Sequence, residues 1–471
     1  MSGLLLRRVE VEGRVVDVRV AEGRVVEVGP SLSPGPDDVV LDGEGGALVP
    51  GLHDHHIHLL ATAAAERSVP VGPPEVTDVH GLARALAEAA RRTPAGRWLR
   101  AVGYHESVAG DLDRHRLDAL VPDHPVRLQH RTGARWTLNG AALARVGARA
   151  ADRPGIERDA TGEPTGRLHR EDRWLRDRLD DDPPELADLF GRLTAFGVVG
   201  VTDTTPYATA AELDGLAAAV RAAGTGPRVV ATGGPELAGA AAPEGLELGP
   251  VKLVVDDGDP PTLDDLAAGM ATAHAHGRAA AVHCVTRAGL VLALAAWDVA
   301  GSGSGDRIEH GSVVPPELEP WIRRLGLTVV TQPGFVADRG DDYLRDVDPD
   351  DVGHLYRCAG LLAAGIPVAA GSDAPYARPD PWAAVAAATT RRTRTGAVLG
   401  PDEVVDPATA LGLFLGHHLD PGRRRRRVEP GAPADLCLLD RPLAAALAAV
   451  PRNPVRRTFR VGVPAGHDPG A

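Results

Sequence analysis

The sequence predicts an α/β protein built on a (β/α)8 (TIM) barrel, with smaller β structure at both chain ends. Three observations predict it. From about residue 50, short apolar runs alternate with alanine- and leucine-rich stretches; roughly eight such runs can be counted; and residues with ligand chemistry recur at their ends. Such alternation argues for parallel strands covered by helices, and about eight of them close a barrel. A doubly wound open sheet is the structural alternative. No glycine-rich dinucleotide fingerprint follows a first strand, which weakens it.

The elements follow in order. Val16–Val20 alternates, Glu22-Gly23-Arg24 turns, and Val25–Val28 returns as a second strand, before a Gly/Pro/Ser/Asp loop over 29–38. Barrel strands are expected at Gly51–His58, Val198–Asp203, Arg228–Thr232, Val251–Asp256, Ala280–Cys284, Arg307–His310, Leu327–Thr331 and Pro367–Gly371. Helices are expected between them, as at Ala208–Ala223, Leu263–His276 and Ala288–Ala300. Residues 60–190 fit this alternation poorly and read as an insertion after the first barrel strand, with further strands at Trp98–Tyr104 and Val126–His130. Strand signals resume at Asp435–Leu439 and Thr458–Val461.

Composition bounds the function. The chain has 471 residues, 44% of them hydrophobic and 24% charged, with a formal net charge of −13 and a pI near 5.8. Those values fit a soluble globular protein and oppose broad binding to nucleic acid or anionic membrane. The basic run Arg423–Arg427 is expected in a solvated loop after Asp420-Pro421-Gly422. No stretch reaches the roughly twenty apolar residues of a membrane span, and no signal peptide is expected. The three cysteines, Cys284, Cys358 and Cys437, imply no disulfide framework, so a cytoplasmic location is expected.

Two features carry chemistry. Lys252 is the only lysine among 51 lysines and arginines, and it lies in the apolar run Val251–Val255. Arginine can supply charge, but only an amine can lose its proton on burial and become nucleophilic. The segment His53-Asp54-His55-His56-Ile57-His58 packs four histidines and an aspartate at a strand end. Strand periodicity places Asp54, His56 and His58 on one face, and His53, His55 and Ile57 on the other. Neutral imidazoles at that spacing form half of a metal site. Three further groups, His283, His310 and Asp373, end or follow later strands. In a barrel those C-terminal ends converge on one face, where active sites of this fold lie.

The segment Val49–His58 resembles the first-strand signature of the amidohydrolase superfamily. Lys252, His283, His310 and Ser372-Asp373-Ala374-Pro375 match its later stations in order, and Pro430–Leu436 resembles the return into that family's small β domain. Gly162–Leu168, Val251-Lys252-Leu253 and Arg307–His310 resemble the N-substituted formamide deformylase-like branch. The resemblance implies a composite β-sandwich from residues 1–50 and 418–471, and a barrel over 51–417 carrying the insertion. It implies a metal-dependent hydrolase that cleaves a non-peptide carbon–nitrogen bond of a small amide-type substrate. The implied metal ligands are His56, His58, Lys252 as a carbamate, His283, His310 and Asp373, holding one or two divalent ions, with Zn2+ expected. Metal-activated hydroxide is the implied nucleophile, with Asp373 as general base and acid and His310 binding metal or stabilising the oxyanion.

Tyr104, His130, Arg131, Trp136, Glu171 and Tyr376 are candidates for the substrate side. Deamination, or cleavage of an ester, carbamate or cyclic amide, is the alternative chemistry on the same ligands. A catalytically inactive scaffold is disfavoured because all six stations are filled. The chain departs from the branch at Thr286-Arg287 and Gly133-Ala134, which bears on substrate identity, and at Asp256-Asp257. The expected partner is a small molecule, with no nucleic acid and no membrane; a homo-oligomer is compatible with the sequence.

Overall fold

The computed structural model describes residues 3–179 and 184–465. The chain divides into two compact units, residues 1–60 with 185–471, and residues 61–184.

The first unit contains an eight-stranded sheet whose order follows the chain. Its strands are β1 (Leu52–Ile57), β2 (Val198–Asp203), β3 (Arg228–Gly233), β4 (Leu246–Val254), β5 (Ala280–Cys284), β6 (Arg307–His310), β7 (Thr328–Thr331) and β8 (Val368–Ala370). Every neighbouring pair is parallel. The chain beyond β8 returns to β1. Asp373 N donates to His56 O at 2.7 Å, and His58 N donates to Ala374 O at 2.9 Å. These bonds close the barrel and exclude the open-sheet alternative. Strands such as β2 and β7 are buried at every residue, as parallel strands between an interior and a helical layer must be. The helices Ala210–Ala223, Leu263–Ala275 and Arg287–Ala300 begin after Thr209, Thr262 and Thr286, whose side chains each accept a first-turn N–H.

Two expectations need correction. Lys252 does not begin its strand. β4 starts at Leu246, so Lys252 lies two residues before its C-terminal end. Gly249-Pro250 disguises the first half of this strand. Leu246–Leu248 pairs with β3, and Val251–Val254 pairs with β5. Proline, which has no N–H to give, falls where the strand changes its main partner. Nor is the arginine run a loop. Asp420–Arg425 is a strand paired with Gly416–His417. Arg426 follows it, and its guanidinium donates to the carbonyls of Gly416 and Phe414. Backbone pairing and these carbonyl acceptors hold the segment despite its charge.

Both chain ends contribute sheets. One is ordered Arg24–Gly29, Arg14–Ala21, Leu4–Val11, Val39–Asp42; the other Val463–Ala465, Val455–Arg460, Leu436–Leu439, Leu48–Pro50. They share one apolar core, in which Leu6, Val18 and Val25 meet Leu48, Leu436, Leu438 and Phe459.

The second unit is a six-stranded mixed sheet ordered Ile156–Arg158, Pro164–His169, Arg135–Leu138, Val126–His130, Leu99–Tyr104, Val69–Pro70. One apolar cluster gathers around Leu82, Leu86, Leu99 and Leu128. A second gathers around Trp136, Leu143, Leu168 and Trp174. Among the described residues no helix is long and apolar enough to cross a membrane. The three cysteines are buried and unbonded to one another.

Candidate metal centre

The C-terminal strand ends of the barrel bring His56, His58 and His310 near Asp373, with His283 beside His310. His56 Nε2 lies 3.5 Å from Asp373 Oδ1, His58 Nε2 lies 3.3 Å from the same oxygen, and His310 Nδ1 lies 3.7 Å from Asp373 Oδ2. Ring centroids of His56 and His310 are 4.6 Å apart, and those of His283 and His310 are 4.5 Å apart. One ligand atom from each of His56, His310 and Asp373 fits within a mutual separation of 4.8 Å. Lys252 is buried on β4, and its amine has no hydrogen-bond partner.

Local backbone makes this convergence possible. Glu309 points into the barrel toward His56, so regular alternation would turn the next residue, His310, outward. His310 instead has φ 69°, and Asp373 has φ 55°. Left-handed backbone at a residue with a Cβ costs about 1–3 kcal/mol and persists where surrounding structure enforces it. Asp54, expected on the ligand face, has another duty. Its Oδ1 accepts the backbone N–H groups of His56 and Ser372, tying β1 to the turn after β8. Burial pushes its carboxyl up to about 6.

Each of three imidazoles has one nitrogen already engaged. His56 Nδ1 lies 2.5 Å from Glu309 Oε2, His58 Nδ1 3.1 Å from Thr205 Oγ1, and His310 Nδ1 2.9 Å from Gln332 Oε1. Sequence reasoning gave none of these partners a role. Glu309 carried a usable signal, a carboxylate beside the expected ligand His310 on an expected barrel strand. Thr205 and Gln332 carried none.

Burial is the largest influence on the ionisation of these groups. It holds His56 and His310 well below the ordinary imidazole range, helped by the charges of Lys252 and His283 respectively. It also lowers Lys252, against the pull of Glu309 and Asp373. His56 and His310 are therefore neutral at neutral pH, the form that binds metal. His56 Nε2, Asp373 Oδ1 and Lys252 Nζ are all buried without a hydrogen-bond partner. Native structures leave few such atoms unpaired. A cation among nitrogen and carboxylate donors would satisfy the first two directly, so the donor set fits a transition metal.

The remaining predicted residues divide by unit. Tyr376 stands edge-on to His58, with ring centroids 5.9 Å apart. The other five lie in the second unit, where most are engaged by their neighbours. Tyr104 donates to Gly110 O, Trp136 Nε1 donates to Asp172, and Glu171 pairs with Arg153 and accepts from Gly155 N. His130 Nε2 lies 3.1 Å from Glu106 Oε2, and Arg131 N donates to Tyr104 O.

The model of the amidohydrolase family matches residues 39–464. The chain belongs to that family. The activity class follows: metal-dependent hydrolysis at a carbon–nitrogen bond. Among curated proteins this amidohydrolase is similar to the N-substituted formamide deformylase of Arthrobacter pascens, at 27% identity over 95% of this chain and 94% of the relative. Among solved structures it resembles a metal-dependent hydrolase of Pyrococcus furiosus, with TM-score 0.70 and 20% identity over 93% of this chain and 99% of that one. It also resembles N-isopropylammelide isopropylaminohydrolase of Burkholderia multivorans, with TM-score 0.56 and 17% identity over 99% of each chain. At these identities the structural likenesses establish the barrel fold.

Proposed function

We propose that this amidohydrolase cleaves the carbon–nitrogen bond of a small N-substituted amide of the formamide type, using a zinc site built from His56, His58, Lys252, His283, His310 and Asp373. The observation that carries the reading is Asp373. It is a buried carboxylate within 3.3–3.7 Å of three imidazole nitrogens, with Oδ1 free of any hydrogen bond. The formamide class is supported by the named activity of the relative that aligns over nearly the whole chain.

A divalent cation at this position supplies Lewis acidity, lowering the pKa of water toward about 7 and polarising a substrate carbonyl. The protein does the rest. Asp373 accepts the proton of the attacking water and passes it to the departing nitrogen, so formamide and water become formate and amine. His310 and His283, edge-on to one another with ring centroids 4.5 Å apart, orient the oxygen that gains charge. Lys252, whose basicity burial lowers, could in its neutral form add through Nζ to CO2: an N–C bond would form, one proton would leave, and the product would be a carboxylate able to serve as a ligand. Tyr376, beside His58, lines the approach.

The test is metal analysis of the purified protein together with hydrolysis of a panel of N-alkyl and N-aryl formamides. We expect at least one equivalent of a transition metal and release of formate that a chelator abolishes. Metal-free protein with full activity would refute the reading.

A further inference from the structure

Resting on the metal reading above, we propose that Arg307 and Glu309 form a positioning device for His56, holding that ring in the tautomer whose Nε2 lone pair faces the centre. His56 is completely buried and offers two nitrogens. Nδ1 is 2.5 Å from Glu309 Oε2, while Nε2 is 3.5 Å from Asp373 Oδ1 and lacks a hydrogen-bond partner. An Nδ1–H donated to Glu309 leaves Nε2 as the free lone pair.

β1 and β6 are not neighbours in the sheet, so this contact crosses the barrel interior. Glu309 has no exposed surface, and an unpaired carboxylate at that depth would carry a large desolvation cost. Arg307 meets that cost. It is two residues earlier on the same strand, hence on the same face, only 1% exposed, and its Nε lies 2.6 Å from Glu309 Oε1. Glu309 thus turns one oxygen to the charge of Arg307, in a close ion pair without hydrogen-bond geometry, and the other to His56. It is a brace for a ligand and is not itself placed to be one.

The other two imidazoles give the contrast. His58 and His310 meet a hydroxyl and an amide, both neutral. His56 instead has a carboxylate oxygen 2.5 Å from its Nδ1, which orients the ring and raises the basicity of its free nitrogen. Carboxylate partners of this kind typically change metal affinity about 10–100-fold.

The experiment compares wild type, Glu309→Gln and the double variant Arg307→Met/Glu309→Gln. Each is stripped of metal, and its Zn2+ affinity is measured by competition with a chromophoric chelator. The 15N chemical shifts of the His56 ring are recorded in the metal-free state. Glu309→Gln leaves Arg307 buried without its counter-charge; if that variant fails to fold, the double variant, which removes both charges together, carries the measurement. We expect zinc binding weakened about 10–100-fold in the folded variants. The His56 spectrum should change from a single Nδ1–H form in wild type to a tautomer mixture. Affinity equal to wild type in the double variant would show that the pair serves folding alone and would overturn the proposal. If wild type itself takes up no zinc, the metal reading fails. The ring spectrum still tests the brace, and a tautomer mixture in wild type would overturn it.

Discussion

His53 and His55 lie within five residues of His56 and His58, yet the two pairs have different fates. His53 is buried with Nε2 2.9 Å from Thr202 Oγ1. His55 packs its ring 4.6 Å from that of His53 and has no hydrogen-bond partner on either nitrogen. A Cβ at Gly416 would stand 3.3 Å from His55 Nε2, a tight approach to this ring. No carboxylate hydrogen-bonds to either ring. His56 and His58, by contrast, both approach Asp373. The comparison teaches that imidazole alone does not make a ligand. The carboxylates that strand topology delivers to one face of β1, and not to the other, decide the role.

The comparison can be broken most severely at Asp373. Asp373→Asn keeps the shape and removes the proton acceptor, so kcat should fall by about 10²–10⁴-fold. Far-UV circular dichroism should stay unchanged. An active Asp373→Asn enzyme would place the general base elsewhere.

The next effect separates the pairs themselves. His56→Ala should lose bound zinc, whereas His55→Gln should retain wild-type stoichiometry by elemental analysis. Equal losses would mean that both faces of β1 bind metal.

Acid stability should depend on rings from both faces of β1, together with His310. Burial holds His53, His55, His56 and His310 well below the ordinary range. In the unfolded chain these rings take protons near pH 6.5, and in the folded protein only at lower pH. The unfolded state therefore binds more protons as pH drops below about 6.5, and stability falls. Asp54, raised to about 6, acts in the opposite sense below that pH, as one group against four. The melting temperature of metal-free protein should fall by several degrees between pH 7.5 and 5.5, and less steeply in His55→Gln. A rise on acidification would contradict the assignment of neutral buried rings.

The smallest effect belongs to Thr205. Thr205→Val removes one neutral hydrogen bond to His58, worth about 0.5–1.5 kcal/mol. Zinc affinity should weaken about 2–10-fold, measured by the same chelator competition. A loss of several hundred-fold would mean that Thr205 does more than orient a ring.

Much of this was legible in the sequence. Several of the barrel strands were visible because parallel strands buried on both faces leave largely apolar runs, as at Val198–Val201 and Ala280–Val282, and their order followed from the alternation with helices. The His-x-His pair and the later histidines stood out because ligand chemistry recurred at strand ends. Lys252 stood out by being alone. What could not be read has physical causes. Gly249-Pro250 broke the apolar run of β4 and hid its first half. The left-handed backbone at His310 and Asp373 has no composition signal, since neither residue is glycine. The neutral partners Thr205 and Gln332 are ordinary polar residues whose role exists only once β2 and β7 stand beside the ligands. Most of the second unit's strands were missed because short antiparallel pairs such as Arg135–Leu138 with Pro164–His169 carry only a few residues of alternation each.

The most direct test of the six-residue centre is a crystal structure of zinc-loaded protein with anomalous scattering recorded at the zinc edge. The account predicts a peak about 2.0–2.2 Å from His56 Nε2 and from a carboxylate oxygen of Asp373. A peak between His53 and His55, or none within reach of Asp373, would contradict it.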